Sequence, residues 1–531
     1  MSSDAQQAFL EANWRPRHNQ WAIALTVTLA TFMEVLDTSI ANVALPHIAG
    51  GLSAGTDEST WVLTSYLVSN AVILPISAWL TDRFGRKRFY MTCVLLFTIS
   101  SFLCGLAPSL GMLIFFRVLQ GAGGGGLAPS EQAILADTFE PKKRGMAFAV
   151  YGMAVVLAPA IGPTLGGYIT DHFNWRWIFY INVPVGILSL FLTNRMVEDP
   201  PYLVRAKERA RKTPIDYMGL GLVGIGLGAL QVVLDKGQED DWFGSSFIVR
   251  FAILAAICLI GFIIWEWREK HPILNLKLFR NANFAVANVL MFTLGIALFG
   301  TTVLIPQFLQ LLVHYSATQA GLALSFGGIA VLLMMPIVGR LIGSVDPRFL
   351  AAFGFSISGI ALLHMTNLYL GIDFRTAASF RVYQALGLAF LFVPINTLSY
   401  VGIPREENNQ VSAMVNLSRN IGGSVGISFV TTMLARRAQF HQSRLVAHTT
   451  GADYGYVARL ALMAKRLVGA GFSSFHANQG ATGKFYLTLY AQAQTLAYID
   501  TVWVLGVASL LMVPIVFLAK RGKPGEVHMG H

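Results

Sequence analysis

The chain is 531 residues long, 54% hydrophobic and only 13% charged, with 39 Lys and Arg against 28 Asp and Glu for a formal net charge of +11. Soluble domains carry about 25% charged residues, so this balance excludes an ordinary water-soluble domain and identifies a polytopic membrane protein. The three cysteines, Cys93, Cys104 and Cys258, all fall in apolar runs, which argues against a disulfide framework and against a metal cluster.

Residues 1–20 mix Asp4, Glu11, Arg15 and Arg17 without a cleavage-site pattern, so they read as a cytoplasmic segment followed by an uncleaved span. Fourteen apolar runs are then expected to cross the membrane, at 21–45, 61–81, 90–108, 110–137, 146–170, 178–196, 216–235, 247–266, 284–312, 319–343, 349–370, 378–402, 411–434 and 498–519. At ~1.5 Å per helical residue each run suffices for a ~30 Å hydrocarbon core.

The first span contains "MEVLDTSIANVALP", where Glu34 and Asp37 are the only ionisable residues between Trp21 and Pro46. Spacings of three and four place Glu34, Asp37, Thr38 and Asn42 on a shared stripe. That stripe must face the bundle interior, because an ionised carboxylate at membrane depth costs several kcal/mol unless paired or hydrated. Arg117 in the fourth span is the natural partner. A carboxylate for which a proton and a cationic ligand compete is a minimal antiport device, and hydrogen bonding to neighbouring helices is the plainer use of the same groups.

After the second span comes "AWLTDRFGRKR", with Asp82, Arg83, Gly85 and Arg86. A carboxylate among basic residues at helix ends can make charge-assisted contacts, and Gly85 permits a tight turn. The fourth span, "LIFFRVLQGAGGGG", formally contains G-x-G-x-x-G, but it follows a membrane arginine rather than a strand, so it reads as a close-packing surface and not a nucleotide site. No G-x-x-x-x-G-K-[ST] occurs, so transport would run on an ion gradient or downhill. Glu131 and Asp137 fall toward the end of this span and read as interfacial. The fifth span, "LAPAIGPTLGG", carries Pro159, Gly162, Pro163, Gly166 and Gly167. Two prolines four apart bend a helix, giving a pivot or seal between halves, while small residues alternatively serve tight packing.

Arg117 and Arg381 lie 264 residues apart, as do Asp82 and Asp346. The shared offset implies two six-helix halves, 21–196 and 284–519, with linkers and two inserted helices at 197–283. Arg381, Gln384, Asn396, Asn416, Arg419 and Asn420 are the polar cavity candidates of the second half, equally suited to joining helices. Loops rich in Lys and Arg ("DRFGRKR", "PKKRG", "RAKERARK" and the 520–531 tail with "KRGK") alternate with poorly basic ones, so both termini are expected in the cytoplasm. Anionic lipid headgroups then account for the net positive charge, with no nucleic-acid partner. Residues 435–497 read as a long extracytoplasmic loop with an amphipathic helix at 456–472.

Four motifs in order, "LDTSIANVALP", "AWLTDRFGRKR", "LIFFRVLQG" and "LAPAIGPTLGG", together with "WRWIFYINVPVG", make the chain resemble the major facilitator superfamily and, within it, the fourteen-span drug:proton antiporter group. Ala78 and Ala158 depart from the usual glycines, and the family motif that covers Asp37 requires no acid at Glu34. The resemblance implies an all-α major facilitator fold, two six-helix halves plus two inserted helices, in the bacterial inner membrane. It implies a proton-coupled exporter of lipophilic or cationic drugs, with no cofactor beyond the proton gradient and no enzymatic activity. It casts Asp82, Arg83, Gly85 and Arg86 as a cytoplasmic gate, and Pro159 to Gly167 as the antiporter motif. It also implies that 456–472 docks a periplasmic adaptor protein leading to an outer-membrane channel, a lid packing on the outer mouth of the bundle being the plainer use of the same helix. Export of one endogenous metabolite, such as a fatty acid or siderophore, and a non-transporting sensor or scaffold are the alternatives.

Overall fold

The computed structural model describes residues 14–140, 143–212 and 214–521. Most of the expected N-terminal segment and tail, residues 1–13 and 522–531, lies outside the described residues, as do 141–142 of the "PKKRG" loop. Thirteen helices among the described residues are long and apolar enough to cross a membrane: α1 (Gln20–Gly51), α2 (Trp61–Phe84), α3 (Arg86–Leu106), α4 (Leu110–Thr138), α5 (Arg144–His172), α6 (Trp177–Met196), α7 (Tyr217–Lys236), α8 (Ser246–Arg268), α9 (Ala282–Leu311), α10 (Thr318–Leu341), α11 (Pro347–Asn367), α12 (Phe374–Ser399) and, last in the chain, α14 (Ser474–Val516). The remaining expected span, 411–434, lies within α13 (Asn408–Val446), too polar to pass on composition yet packed inside the second half against α9 and α14.

Local chemistry sets the ends. The Asn19 side chain caps α1, Asp216 caps α7, Asp346 caps α11 ahead of Pro347, and Asp373 caps α12. Gly85 separates α2 from α3 at φ +93, a conformation that penalises any side chain. In α4 the helix is interrupted between Gly124 and Leu127. A Cβ at Gly121 would stand 2.3 Å from the Tyr66 carbonyl oxygen, and one at Gly123 2.7 Å from the Phe97 amide. The glycine run therefore lets α4 pass between α2 and α3.

The halves meet mainly where α5 lies along α10. Gly321 abuts Thr164, Gly328 abuts Ala160, and the Ser325 hydroxyl donates to the Ala160 carbonyl at 3.1 Å, between Pro159 and Pro163 in the chain. Gly162 and Gly166 instead pack on Ser39 and Ile40 of α1 within the same half, and Gly167 has open space beside it. Both described ends of the chain lie at the end of the bundle that bears Arg86: Trp21 packs on Phe139, and the Lys520 amide donates to Asn283. Helix α7 rests on α2 of the first half and α13 of the second, with α8 outside it.

The expected loop at 435–497 is instead largely helical. The amphipathic helix expected at 456–472 is present as Tyr454–Gly469, while α13 continues to Val446 and α14 already begins at Ser474. No proline lies between 435 and 497, so the backbone stays helical after the apolar sequence stops. At ~1.5 Å per residue the 43 residues of α14 reach about 65 Å, roughly twice a hydrocarbon core. A helical hairpin therefore projects from the end opposite Arg86.

Candidate functional site

Asp37 and Arg117 meet as the spacing suggests. Arg117 Nη1 donates to Asp37 Oδ2 at 2.5 Å, and Arg117 Nε donates to the Val62 carbonyl at 3.0 Å. Asp37 Oδ1 accepts from Gln120 Nε2 at 3.0 Å and from Asn182 Nδ2 at 2.7 Å. The guanidinium also lies 4.3 Å over the Tyr66 ring. Asp37 is 2% exposed and Arg117 0%. The pair is a sealed internal tie joining α1, α4 and α6, with every acid oxygen occupied.

Glu34, one turn away, has a different setting. It lines a cavity of about 410 Å³ together with Thr38, Asn70, Val155, Phe299 and Arg419. Tyr66 and Asn70 donate to Glu34 Oε1 at 3.3 and 3.1 Å, and among the described residues no Lys or Arg makes an ion pair with it. Asn42 is exposed and outside this group. Five residues beyond Asp37, at ~100° per residue, it has rotated about 140° from the pair, which corrects its expected place in the site.

The inserted helix α7 forms one wall of the cavity through Gln231, Leu234 and Asp235, and Gln238 and Glu239 follow just beyond it. Thr64 of α2 donates to Asp235, and Lys236 pairs with Glu239 at 2.7 Å. From the second half Arg419 Nη1 donates to Tyr151 at 2.8 Å, and Asn420 reaches Asn70 at 3.4 Å. Asn416 stands behind this wall, bonding Gln132 at 2.8 Å. Arg381 and Gln384 do not line the cavity. They bond each other and Thr301 inside the second half, while Asn396 bonds its own helix.

One end of this cavity is closed. Arg86, fully buried, donates to Asp137 at 2.5 Å, to Asn409 of α13 at 3.0 Å and to Tyr202 at 3.0 Å. Asn409 donates to Asp82 at 2.6 Å and Asn408 to Asp137 at 2.7 Å. Two asparagines of the second half are thus clamped by two acids of the first. Arg83 stacks over Trp79 instead of joining the clamp. Asp137 is a member of this lock at the end of α4, and Glu131 is 0% exposed, enclosed where α4 is surrounded by α1, α3, α5 and α13. Outside the spans, burial pushes the Tyr202 hydroxyl well above its ordinary value, keeping it a neutral donor and acceptor.

Several of these groups were legible only in part. Gln120 and Gln384 share the R-V-x-Q pattern and the repeat offset, a signal that picks out Gln120 alongside Arg117. Asp235 lay in an apolar run with no motif, and Tyr202 sits in the linker helix Pro201–Lys212 with nothing in its neighbourhood to mark it.

Two helical halves around a cavity closed at one end, its apolar walls set with a few polar and charged groups, indicate a transporter rather than an enzyme. The family profile of the Major Facilitator Superfamily matches residues 27–427, and the chain belongs to that superfamily. It is 40% identical over 432 residues to the multidrug export protein EmrB of Haemophilus influenzae, covering 80% of this chain and 82% of that one. It is 37% identical over 500 residues to the fatty acid resistance protein FarB of Neisseria gonorrhoeae, covering 94% and 96%. Among solved structures it superposes on the proton:xylose symporter XylE with a TM-score of 0.60 at 14% identity, covering 95% and 97%. The chain is a multi-pass protein of the bacterial inner membrane, similar to EmrB-type efflux permeases.

Proposed function

We propose that the chain is a proton-coupled antiporter that exports lipophilic, often cationic compounds by alternating access, with Glu34 as the residue at which proton and cation compete. The single observation that carries this reading is the position of Glu34: a cavity-facing carboxylate without an ion-pair partner, amid apolar walls of Val35, Leu67, Leu74, Val155 and Phe299. Asp235 at the wall adds negative charge that attracts a cation. Asp37, expected from sequence to share this role, serves in this reading as the fixed counter-charge of Arg117. The basic loops support a cytoplasmic position for the Arg86 end, and in this reading the cavity faces outward with its cytoplasmic gate locked.

The decisive experiment uses purified protein in vesicles with ethidium as substrate. Glu34→Gln should lower pH-gradient-driven ethidium transport roughly tenfold or more, within the usual range of coupling between two ligands. Full gradient-driven transport in that variant would sink the assignment. One observation favours a second reading: Arg419 in the same cavity offers a guanidinium to an amphiphilic carboxylate, and FarB is named for fatty acid resistance. Competition of ethidium transport by oleate, lost in Arg419→Gln, would favour it.

We further infer that the projecting hairpin docks a periplasmic adaptor protein leading to an outer-membrane channel. Val457, Leu462 and Val468 of Tyr454–Gly469 and Phe475 and Leu487 of α14 stay exposed on it, more apolar surface than a water-facing element needs. Replacing 454–469 by a flexible linker should spare vesicle transport and abolish cellular resistance; retained resistance would refute the docking role.

A further inference from the structure

Glu131 has no part in the exchange just described, yet it is the most enclosed carboxylate beside the cavity. It is 0% exposed, its Oε1 accepts one hydrogen bond, from the Thr28 hydroxyl at 2.6 Å, and its Oε2 has no partner. The Thr31 hydroxyl of α1 lies beside it, and the ionisable groups facing it are Tyr90 of α3, whose hydroxyl is turned to the Val27 carbonyl at 2.8 Å, Tyr151 of α5, Glu34 of α1 and Arg419 of α13. None of them forms an ion pair with it. A buried carboxylate without a salt-bridge partner is tolerated when it can bind a proton and shed its charge.

Its place along the bundle matters as much as its isolation. Thr28 precedes Glu34 by six residues on α1, about 9 Å along the axis at 1.5 Å per residue, on the side of the Arg86 lock. Glu131 itself precedes Asp137, the lock's acid, by six residues on α4. Glu131 therefore stands between the cavity acid and the closed gate, a step beyond Glu34 on the way to the cytoplasmic end.

We propose that Glu131 is a second proton-binding site, so that each cycle carries two protons, one on Glu34 and one on Glu131, against one substrate molecule. This rests on the Glu34 antiport reading and adds a stoichiometry to it. Each carboxylate takes one proton while the cavity is open to the outside and yields it to the cytoplasm once the Arg86 lock has opened. No other bond changes. For a monovalent cation, two charges enter as one leaves, so transport responds to the membrane potential; exchange through Glu34 alone is electroneutral and responds only to the pH gradient.

Ethidium transport in vesicles is measured under an imposed potential without a pH gradient, and under a pH gradient at zero potential. The wild-type protein should respond to both. Glu131→Gln should lose roughly tenfold or more of the potential-driven rate while keeping the pH-driven rate within about twofold, both judged against ordinary coupling factors, and Glu131→Asp should restore the potential response. Potential-driven transport that survives in Glu131→Gln overturns the proposal. So does loss of both drives in that variant, because an amide there should leave the Glu34 exchange intact. A wild-type protein driven by the pH gradient but not by the potential overturns the second site and leaves Glu34 standing, whereas one driven by neither overturns the antiport reading itself.

Discussion

The two halves hold the same device in two states of completion. In the first, Arg117 and Gln120 converge on Asp37; in the second, Arg381 and Gln384, at the same 264-residue offset, converge on Thr301, which stands where the repeat puts the partner of Asp37. Arg381 is 2% exposed, its Nε is without a partner, and among the described residues no carboxylate lies in ion-pair contact with it. The gate acids diverge in the same way. Asp82 accepts from Asn409 across the halves, whereas Asp346 caps α11 and binds Arg348 two residues away. The offset equivalents of Glu34 and Glu131 are Leu298 and Ile395. The halves share a scaffold, while Glu34, Asp37 and Glu131 lie in the first and the cavity arginine, Arg419, in the second.

The sharpest way to break this comparison is to truncate both arginines. Arg117→Ala leaves Asp37 as a buried charge without its partner, a loss of about 3–5 kcal/mol. Arg381→Ala removes a cation that no acid balances, so it should cost far less. Thermal unfolding of the two purified variants in one detergent measures the difference, and equal losses would show that the pairing of Asp37 contributes little.

A smaller effect is expected from completing the second half. Thr301→Asp places a carboxylate where Arg381 Nη1 and Gln384 Nε2 already point, and charge-assisted hydrogen bonds are worth on the order of 1–3 kcal/mol. The variant should melt later than the wild type. Combined with Arg381→Ala the same aspartate should become destabilising, since it would then be the unpaired group; a gain that persists in the double variant would rule out ion pairing as its source.

How much of this was readable beforehand follows the same physics. Apolar run length fixes membrane helices, so the span positions and the inserted pair follow from the chain, as does the Asp37–Arg117 pairing from the cost of burying either alone. Which of Glu34 and Asp37 faces the cavity is a matter of helix rotation, set by Asn182 and Val62 on neighbouring helices and not by anything within α1. The wall contributed by Asp235 depends on where α7 settles between α2 and α13, and its run of glycine and leucine could pack in several places. Beyond the bilayer the amphipathic stripe at 456–472 is legible as helix, whereas the extensions of α13 and α14 are not, because apolar content, which marks spans, is silent about helix in water.

The gentlest test concerns the turn that joins the second half to the gate, where the acid lies outside the spans. Glu407 stands just before α13, and its Oε1 accepts from Asn275 Nδ2 of the linker at 3.1 Å. Burial raises its affinity for a proton above the ordinary carboxylate value, with Glu406 beside it adding to the shift and Asn275 opposing it. A carboxyl whose folded value is raised lends its stability below the unfolded value and loses it as pH rises through the folded one. The melting temperature should therefore fall slightly from acid toward neutral pH on account of this group. Glu407→Gln, neutral at every pH and still able to accept from Asn275, should flatten that part of the profile without affecting the steeper contributions of other groups. A variant whose profile overlays the wild type would show that Glu407 ionises in the folded protein as it does in water, and that the approach to the gate, unlike the acids inside the first half, is fully hydrated.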